Sequence, residues 1–141
     1  MVHVGIIGAS GYTGAELLRL CAQHPEFEVV DATGDTQART RAASPSPGPV
    51  WRYPTLMFEE FESERAAGLD LVFLGLPHEA SLALAPQLVG RAGCVVDLSA
   101  DFRLRDAALY EKTYKHHHAY PELLETAVYG LPELYRPDIV D

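Results

Sequence analysis

Val2-His3-Val4-Gly5-Ile6-Ile7-Gly8-Ala9-Ser10-Gly11-Tyr12-Thr13-Gly14-Ala15-Glu16-Leu17-Leu18 is the stretch that decides the fold. Residues 2–7 form a β-branched apolar run that ends on glycine, the pattern of a strand buried on both faces. The glycines that follow, Gly8, Gly11 and Gly14, are spaced G-x-x-G-x-x-G. Over residues 15–24, Leu17, Leu18, Leu20 and Cys21 recur on one face of a helix, and Pro25 stops it. Residues 28–33, with Val29, Val30 and Ala32, read as a second strand closed by Gly34. A strand, a glycine turn, a helix and a strand make a βαβ unit, which calls for parallel strands joined by a crossover.

In that context each glycine has a mechanical job. Gly8 leaves the strand in a tight turn, Gly11 lets main chain approach a pyrophosphate, and Gly14 lets the helix pack closely on the sheet. The first helical N–H groups point at the anion and the helix dipole favours it, and Tyr12 belongs to the same expected cofactor-binding turn. Ser10 and Thr13 add hydroxyl donors. No Gly-Lys-Ser/Thr follows, so this is not a P-loop; the turn predicts dinucleotide binding. An acid after the second strand bonds the ribose 2′-hydroxyl of NAD, whereas a nearby arginine accepts the 2′-phosphate of NADP. Both signals occur: Asp35 lies 21 residues past Gly14, and Arg39 and Arg41 follow it. Asp31 sits too early in the strand, while Thr33, Gly34 and Thr36 are further expected phosphate donors.

Outward from this unit, the Pro-rich residues 44–49 read as a surface loop. Residues 55–58 are expected as a short strand, 59–67 as a short helix, and 69–76 as the clearest strand, ended by Pro77. A helix is expected over 78–89 and a buried strand over 94–98. A helix over 106–114, an irregular stretch over 116–121, an apolar stretch over 123–129 and a break at Pro137 complete the reading. The alternation predicts an α/β chain: a Rossmann-like, doubly wound, mostly parallel sheet with helices on both faces.

Composition narrows the partners. Of 141 residues, 48% are apolar and 22% charged, which excludes wholesale disorder. No apolar run approaches the roughly 18 residues of a membrane span, so no membrane partner is expected. Acids outnumber bases 20 to 11 for a formal charge of −9, which repels phosphate backbones and argues against nucleic acid. No secretory signal is expected from the first residues, and Cys21 and Cys94 form no CxxC pair, so a cytoplasmic setting is expected. Both cysteines read as buried structural thiols. His116, His117 and His118 are consecutive and point in different directions, so no metal site is expected.

Four motifs carry a family resemblance. Residues 8–17, Gly-Ala-Ser-Gly-Tyr-Thr-Gly-Ala-Glu-Leu, resemble the opening of the N-acetyl-gamma-glutamyl-phosphate reductases, NADPH-dependent enzymes of arginine biosynthesis. Leu74-Gly75-Leu76-Pro77-His78 is similar to their strand-end motif. Val96-Asp97-Leu98-Ser99-Ala100-Asp101-Phe102-Arg103-Leu104 is similar to their most recognisable signature. Tyr129-Gly130-Leu131-Pro132-Glu133-Leu134 resembles the segment that leads to the catalytic loop. The resemblance implies NADP as cofactor and an acyl phosphate of an N-acetylated amino acid as substrate. A cysteine thiolate displaces phosphate to form a thioester, which hydride from NADPH reduces to an aldehyde.

In that family the nucleophilic cysteine lies in a Pro-Gly-Cys segment beyond Asp141, and a second domain supplies the catalytic histidine and the oligomer contacts. The resemblance therefore implies that residues 1–141 are the NAD(P)-binding Rossmann domain of a homo-oligomeric enzyme, with no catalytic residue of their own. Pro77 and His78 then lie beside the cofactor, with His78 either capping the next helix or touching the nicotinamide side. Ser99 is expected to donate to the nicotinamide amide or a ribose. Asp101 and Arg103 are expected to pair and order their loop, with Arg103 a secondary candidate for anion contact. Arg39 stands where the family often has glycine, and residues 44–49 and 115–118 depart from its pattern. The lysine-pathway reductases, the aspartate-semialdehyde dehydrogenase type and a non-catalytic dinucleotide-binding module are the alternatives.

Overall fold

A computed structural model describes residues 1–34, 39 and 53–140 of the chain. Four strands and their helices follow in order: β1 (Val2–Ile7), α1 (Tyr12–Gln23), β2 (Phe27–Ala32), α2 (Ser63–Ala66), β3 (Leu71–Leu74), α3 (Ala80–Leu84), a 3-10 turn (Ala85–Gln87), β4 (Cys94–Asp97), α4 (Ala107–Tyr114), α5 (Pro121–Thr126) and α6 (Pro132–Val140). The strands pair in parallel in the order β2-β1-β3-β4. This is the expected Rossmann-like α/β fold.

β1 is central because its residues are apolar on both faces. Val4 and Ile6 pack with Leu17, Leu18 and Cys21 of α1 on one side. Ile7 packs with Val72, Leu74, Ala66, Ala85 and Leu88 on the other. One layer of helix thus covers each face. A bulge after Val4 skips Val30 in the pairing with β2 and leaves it 44% exposed.

Several local expectations are corrected. α1 starts at Tyr12, because Gly11 is extended (φ −82°, ψ 174°) and serves as the cap. The helix expected over 78–89 is split: Pro86 has no N–H to give, and α3 tightens into the 3-10 turn there. Residues 55–58 form no strand; instead Glu59 makes a single parallel bridge to Thr33, with its N–H on the Ala32 carbonyl at 2.9 Å. The short helix that follows covers Ser63–Ala66 alone. α6 carries Pro137 inside it and is kinked at Tyr135. β4 is not buried: it is the edge strand, with Cys94 exposed and Val96 39% exposed. An apolar run alone does not separate a central strand from an edge one. The loop over 44–49 lies outside the described residues. Among the described residues no helix is long and apolar enough to cross a membrane.

Candidate functional site

After β1 the chain moves outward to β2, then returns past β1 to form β3. The crevice of such a sheet opens where the order reverses, at the carboxyl ends of β1 and β3. Gly8 leaves β1 and Gly75 leaves β3 at that point. Gly8 has φ +87°, and a Cβ there would stand 2.6 Å from the Gly75 carbonyl oxygen. At Gly14 a Cβ would stand 2.4 Å from both Ala9 Cα and Gly8 O. The fold itself demands both glycines.

Gly11 is different. A Cβ there would meet only Gly8 O, at 3.7 Å, an ordinary contact, and its extended backbone suits any residue. Nothing among the described residues needs glycine at this position, and the space over it is open to a ligand. The N–H groups of Tyr12, Thr13 and Gly14 head α1 without a partner among the described residues, and the first turn holds no acid. The half-buried Ser10 adds a hydroxyl beside them. Glu16, the nearest carboxylate on α1, is drawn onto Arg19 by bonds of 2.6 and 2.8 Å. That guanidinium holds the Glu16 carboxyl below its usual range. Open main chain, free amides and a partnered acid fit a diphosphate.

The turn is pinned from β2. Ala9 N–H donates to the Thr33 carbonyl at 2.7 Å, and Gly8 N–H donates to Thr33 Oγ1 at 3.1 Å. Thr33 is buried, so the expected phosphate donor is a brace inside the fold. Gly34 borders the turn, where a Cβ would crowd Ser10 Cβ at 3.1 Å, but its N–H is committed to the Glu59 carbonyl. Its role is close approach rather than donation. Asp31 does lie too early: it is buried and bound to Arg65 Nε at 3.0 Å. Asp35, Thr36 and Arg41 lie outside the described residues. Arg39 is exposed beyond the end of β2, with Nη2 4.0 Å from Glu60.

On the β3 side, Pro77 and His78 stand at the strand's carboxyl end, and His78 is 63% exposed. His78 does not cap α3. Asp101 does, its Oδ2 accepting the N–H groups of Glu79 at 2.9 Å and Leu82 at 3.1 Å. Glu79 holds φ +69°, a conformation costing a non-glycine residue roughly 1–3 kcal/mol. Asp101 is fully buried and also accepts the Tyr110 hydroxyl on Oδ1 at 2.9 Å. Burial first, and the Asp101 carboxylate second, push the Tyr110 phenol well above its ordinary range, so it stays a donor.

The expected pairing of Asp101 with Arg103 is therefore corrected. Arg103 is exposed and gives its Nη2 to the Ser99 carbonyl at 3.3 Å. The Ser99 expectation is corrected too. Its single hydroxyl proton goes to Asp97 at 2.7 Å, and its oxygen accepts the Asp101 N–H at 3.0 Å. In this structure the hydroxyl is an internal brace, with no proton left for a ligand.

His116 lies 3.7 Å from Glu79, His117 binds Glu111, and His118 is buried against the Asp101 carbonyl at 2.8 Å. Among the described residues no three metal-ligating side chains come together. Cys21 is buried in the α1 face, which pushes its thiol up, and Cys94 begins β4 at the end of the sheet away from the crevice. The bracing roles of Thr33, Tyr110 and His118 are not legible in the sequence, since their partners lie 25, 9 and 17 residues away. No local pattern marks such pairs.

Over residues 3–141 the chain matches the family described as semialdehyde dehydrogenase, NAD binding domain. It is 49% identical over 138 residues to N-acetyl-gamma-glutamyl-phosphate reductase of Symbiobacterium thermophilum, covering 98% of this chain and 39% of that one. It is 47% identical over 139 residues to the enzyme of the same name from Pseudomonas putida, covering 99% and 40%. The chain thus spans about 40% of the length of these curated relatives. Among solved structures, aspartate semialdehyde dehydrogenase with NADP from Candida albicans shares the fold, with a TM-score of 0.64 and 22% identity over 73% of this chain and 31% of that one.

Proposed function

We propose, since the chain belongs to the family of semialdehyde dehydrogenase NAD-binding domains, that residues 1–141 form the NADP-binding domain of an N-acetyl-gamma-glutamyl-phosphate reductase. The identity of 46–49% to reductases of that name supports the choice within the family. The whole enzyme reduces N-acetyl-glutamyl phosphate to its semialdehyde in arginine biosynthesis, acts on a small molecule, works in the cytoplasm and assembles as a homo-oligomer. NADPH supplies the hydride when bound.

The residues of this chain bind and orient. Gly8, Ser10, Gly11, Tyr12, Thr13 and Gly14 receive the diphosphate on bare main chain and free amides. By their place in the sequence after β2, Asp35, Thr36 and Arg39 are assigned to the adenosine ribose, where a guanidinium favours a 2′-phosphate. Pro77 and His78 border the nicotinamide half. Neither cysteine reaches the crevice, so the attacking thiolate belongs to polypeptide outside these residues, and this chain alone binds cofactor without turning over acyl phosphate.

The observation that carries the reading is the cleared space over Gly11. Titrating NADPH fluorescence tests it. Gly11→Val fills the diphosphate position with three carbons and leaves the fold intact, so binding is expected to vanish with an unchanged circular dichroism spectrum. NADPH affinity that survives the substitution overturns the reading.

A further inference from the structure

We propose that Asp101 is a positioning residue: through the turn at Glu79 it fixes His78 at the crevice and so sets the grip on the nicotinamide half of the cofactor. This rests on the reading of the crevice as a dinucleotide site.

The turn after β3 is held harder than a chain reversal needs. Pro77 fixes its own φ and gives no N–H. Two residues later Glu79 takes φ +69° and ψ −32°, a region L residues avoid. Such a conformation persists only where its surroundings over-determine it. Here they do. One carboxylate oxygen of Asp101, arriving from the loop after β4, accepts both the Glu79 and Leu82 N–H groups.

Asp101 is itself held at three points, one on its carboxylate and two on its main chain. Tyr110 of α4 donates to its other oxygen, Ser99 Oγ accepts its N–H, and His118 Nε2 lies 2.8 Å from its carbonyl. His118 Nδ1 accepts the Tyr120 N–H at 3.2 Å, which leaves the ring proton on Nε2 and makes His118 a donor to Asp101. A T-shaped stack with Tyr110 and Phe102 keeps that ring in place.

All of this rigidity ends on a side chain that the fold does not use. His78 is exposed, has no hydrogen bond of its own among the described residues, and is steadied only by Tyr114, with ring centroids 5.7 Å apart. Its Nδ1 lies 3.9 Å from Asp101 Oδ1, too far for a bond. Capping α3, a helix of five residues, would need the carboxylate but not the strained Glu79. A strained, braced turn carrying an idle imidazole at a strand's carboxyl end is preorganisation for a ligand.

The test uses NADPH titrations of the chain and of the Asp101→Ala, His78→Ala, Glu79→Gly and Asp101→Ala/Glu79→Gly variants, with the His78 ring followed by NMR. Losing one hydrogen bond to the ligand weakens binding about tenfold, expected in both His78→Ala and Asp101→Ala. Glycine takes positive φ freely, so Asp101→Ala/Glu79→Gly is expected to recover most of the affinity. A merely structural Asp101 would give no such rescue. Asp101→Ala binding within twofold of the parent, no recovery in the double variant, or a double variant that does not fold each overturns the proposal. If the unmodified chain does not bind NADPH, the cofactor reading falls by itself. The positioning claim is then judged on the His78 ring resonances and their contacts to Tyr114, which must change in Asp101→Ala and return in the double variant.

Discussion

Gly14→Ala is expected to destabilise the chain by about 2 kcal/mol. The added carbon would stand 2.4 Å from Ala9 Cα, 2.4 Å from Gly8 O and 2.6 Å from the Ala9 carbonyl carbon, where ordinary contact begins at 3.4 Å. All three are main-chain atoms in the turn, so no rotamer change relieves them. Helix α1 must draw back from the turn by about 1 Å. That movement loosens Leu17, Leu18 and Cys21 against Val4, Ile6 and Val29.

Overpacking of this kind costs ~1–3 kcal/mol, and rigid main chain puts it at the upper end. Alanine returns ~1 kcal/mol of helix propensity, leaving the net loss near ~2 kcal/mol. With a urea slope of ~2 kcal/mol/M, the midpoint followed by far-UV circular dichroism falls by ~1 M. Gly11→Ala is the control, since its Cβ meets only Gly8 O at 3.7 Å. Its midpoint should stay within ~0.3 M of the parent while NADPH binding is lost. A Gly14→Ala midpoint equal to the parent's, or a larger drop for Gly11→Ala, refutes the division of labour among the three glycines.

Isothermal titration with both cofactors should show tighter binding of NADP than of NAD, and the reverse order would assign the second-strand end to a 2′-hydroxyl instead. Tyr110→Phe removes one donor from the buried Asp101 carboxylate and should cost ~1–3 kcal/mol in urea unfolding. The folded state holds the Tyr110 proton more tightly than the unfolded state, so stability should be complete below the ordinary phenol range and decline as pH rises past ~10. Tyr110→Phe should flatten that decline, and an unchanged alkaline slope would show that the hydroxyl titrates freely. Thiol labelling near pH 8 should modify Cys94 quickly, whereas burial and a raised thiol leave Cys21 protected until the chain unfolds. Equal labelling of both cysteines in the folded chain would contradict the packing of α1.

What was legible in the sequence was local. Val2–Ile7 reads as β1 to the residue, because apolar runs closed by glycine need no distant partner to be recognised. Gly8 and Gly14 showed their mechanical roles from spacing alone. α1 was read three residues late, since Gly11 caps it with no side chain to signal the start. The exposure of β4 was invisible, because Cys94, Val95 and Val96 are apolar whether or not a neighbour covers them. Ser99 and Thr33 look like free hydroxyls in a linear reading. Ser99 spends its proton on Asp97 two residues back, and Thr33 is buried with its oxygen accepting the Gly8 N–H, a contact that only the folded sheet creates. The Asp101 brace spans 22 residues to Glu79 and 9 to Tyr110, distances that no periodicity covers.

The open margin of β4 is the side on which this sheet can be extended. Its outer row of amides and carbonyls has no mate among the described strands, and Val96 and Leu98 stand 39% and 41% exposed beside it. Parallel sheets are normally sealed on both faces, and a bare apolar edge recruits whatever extended chain it meets. Polypeptide that pairs along β4 can therefore do so without disturbing the glycine turn, which lies on the far side of β3.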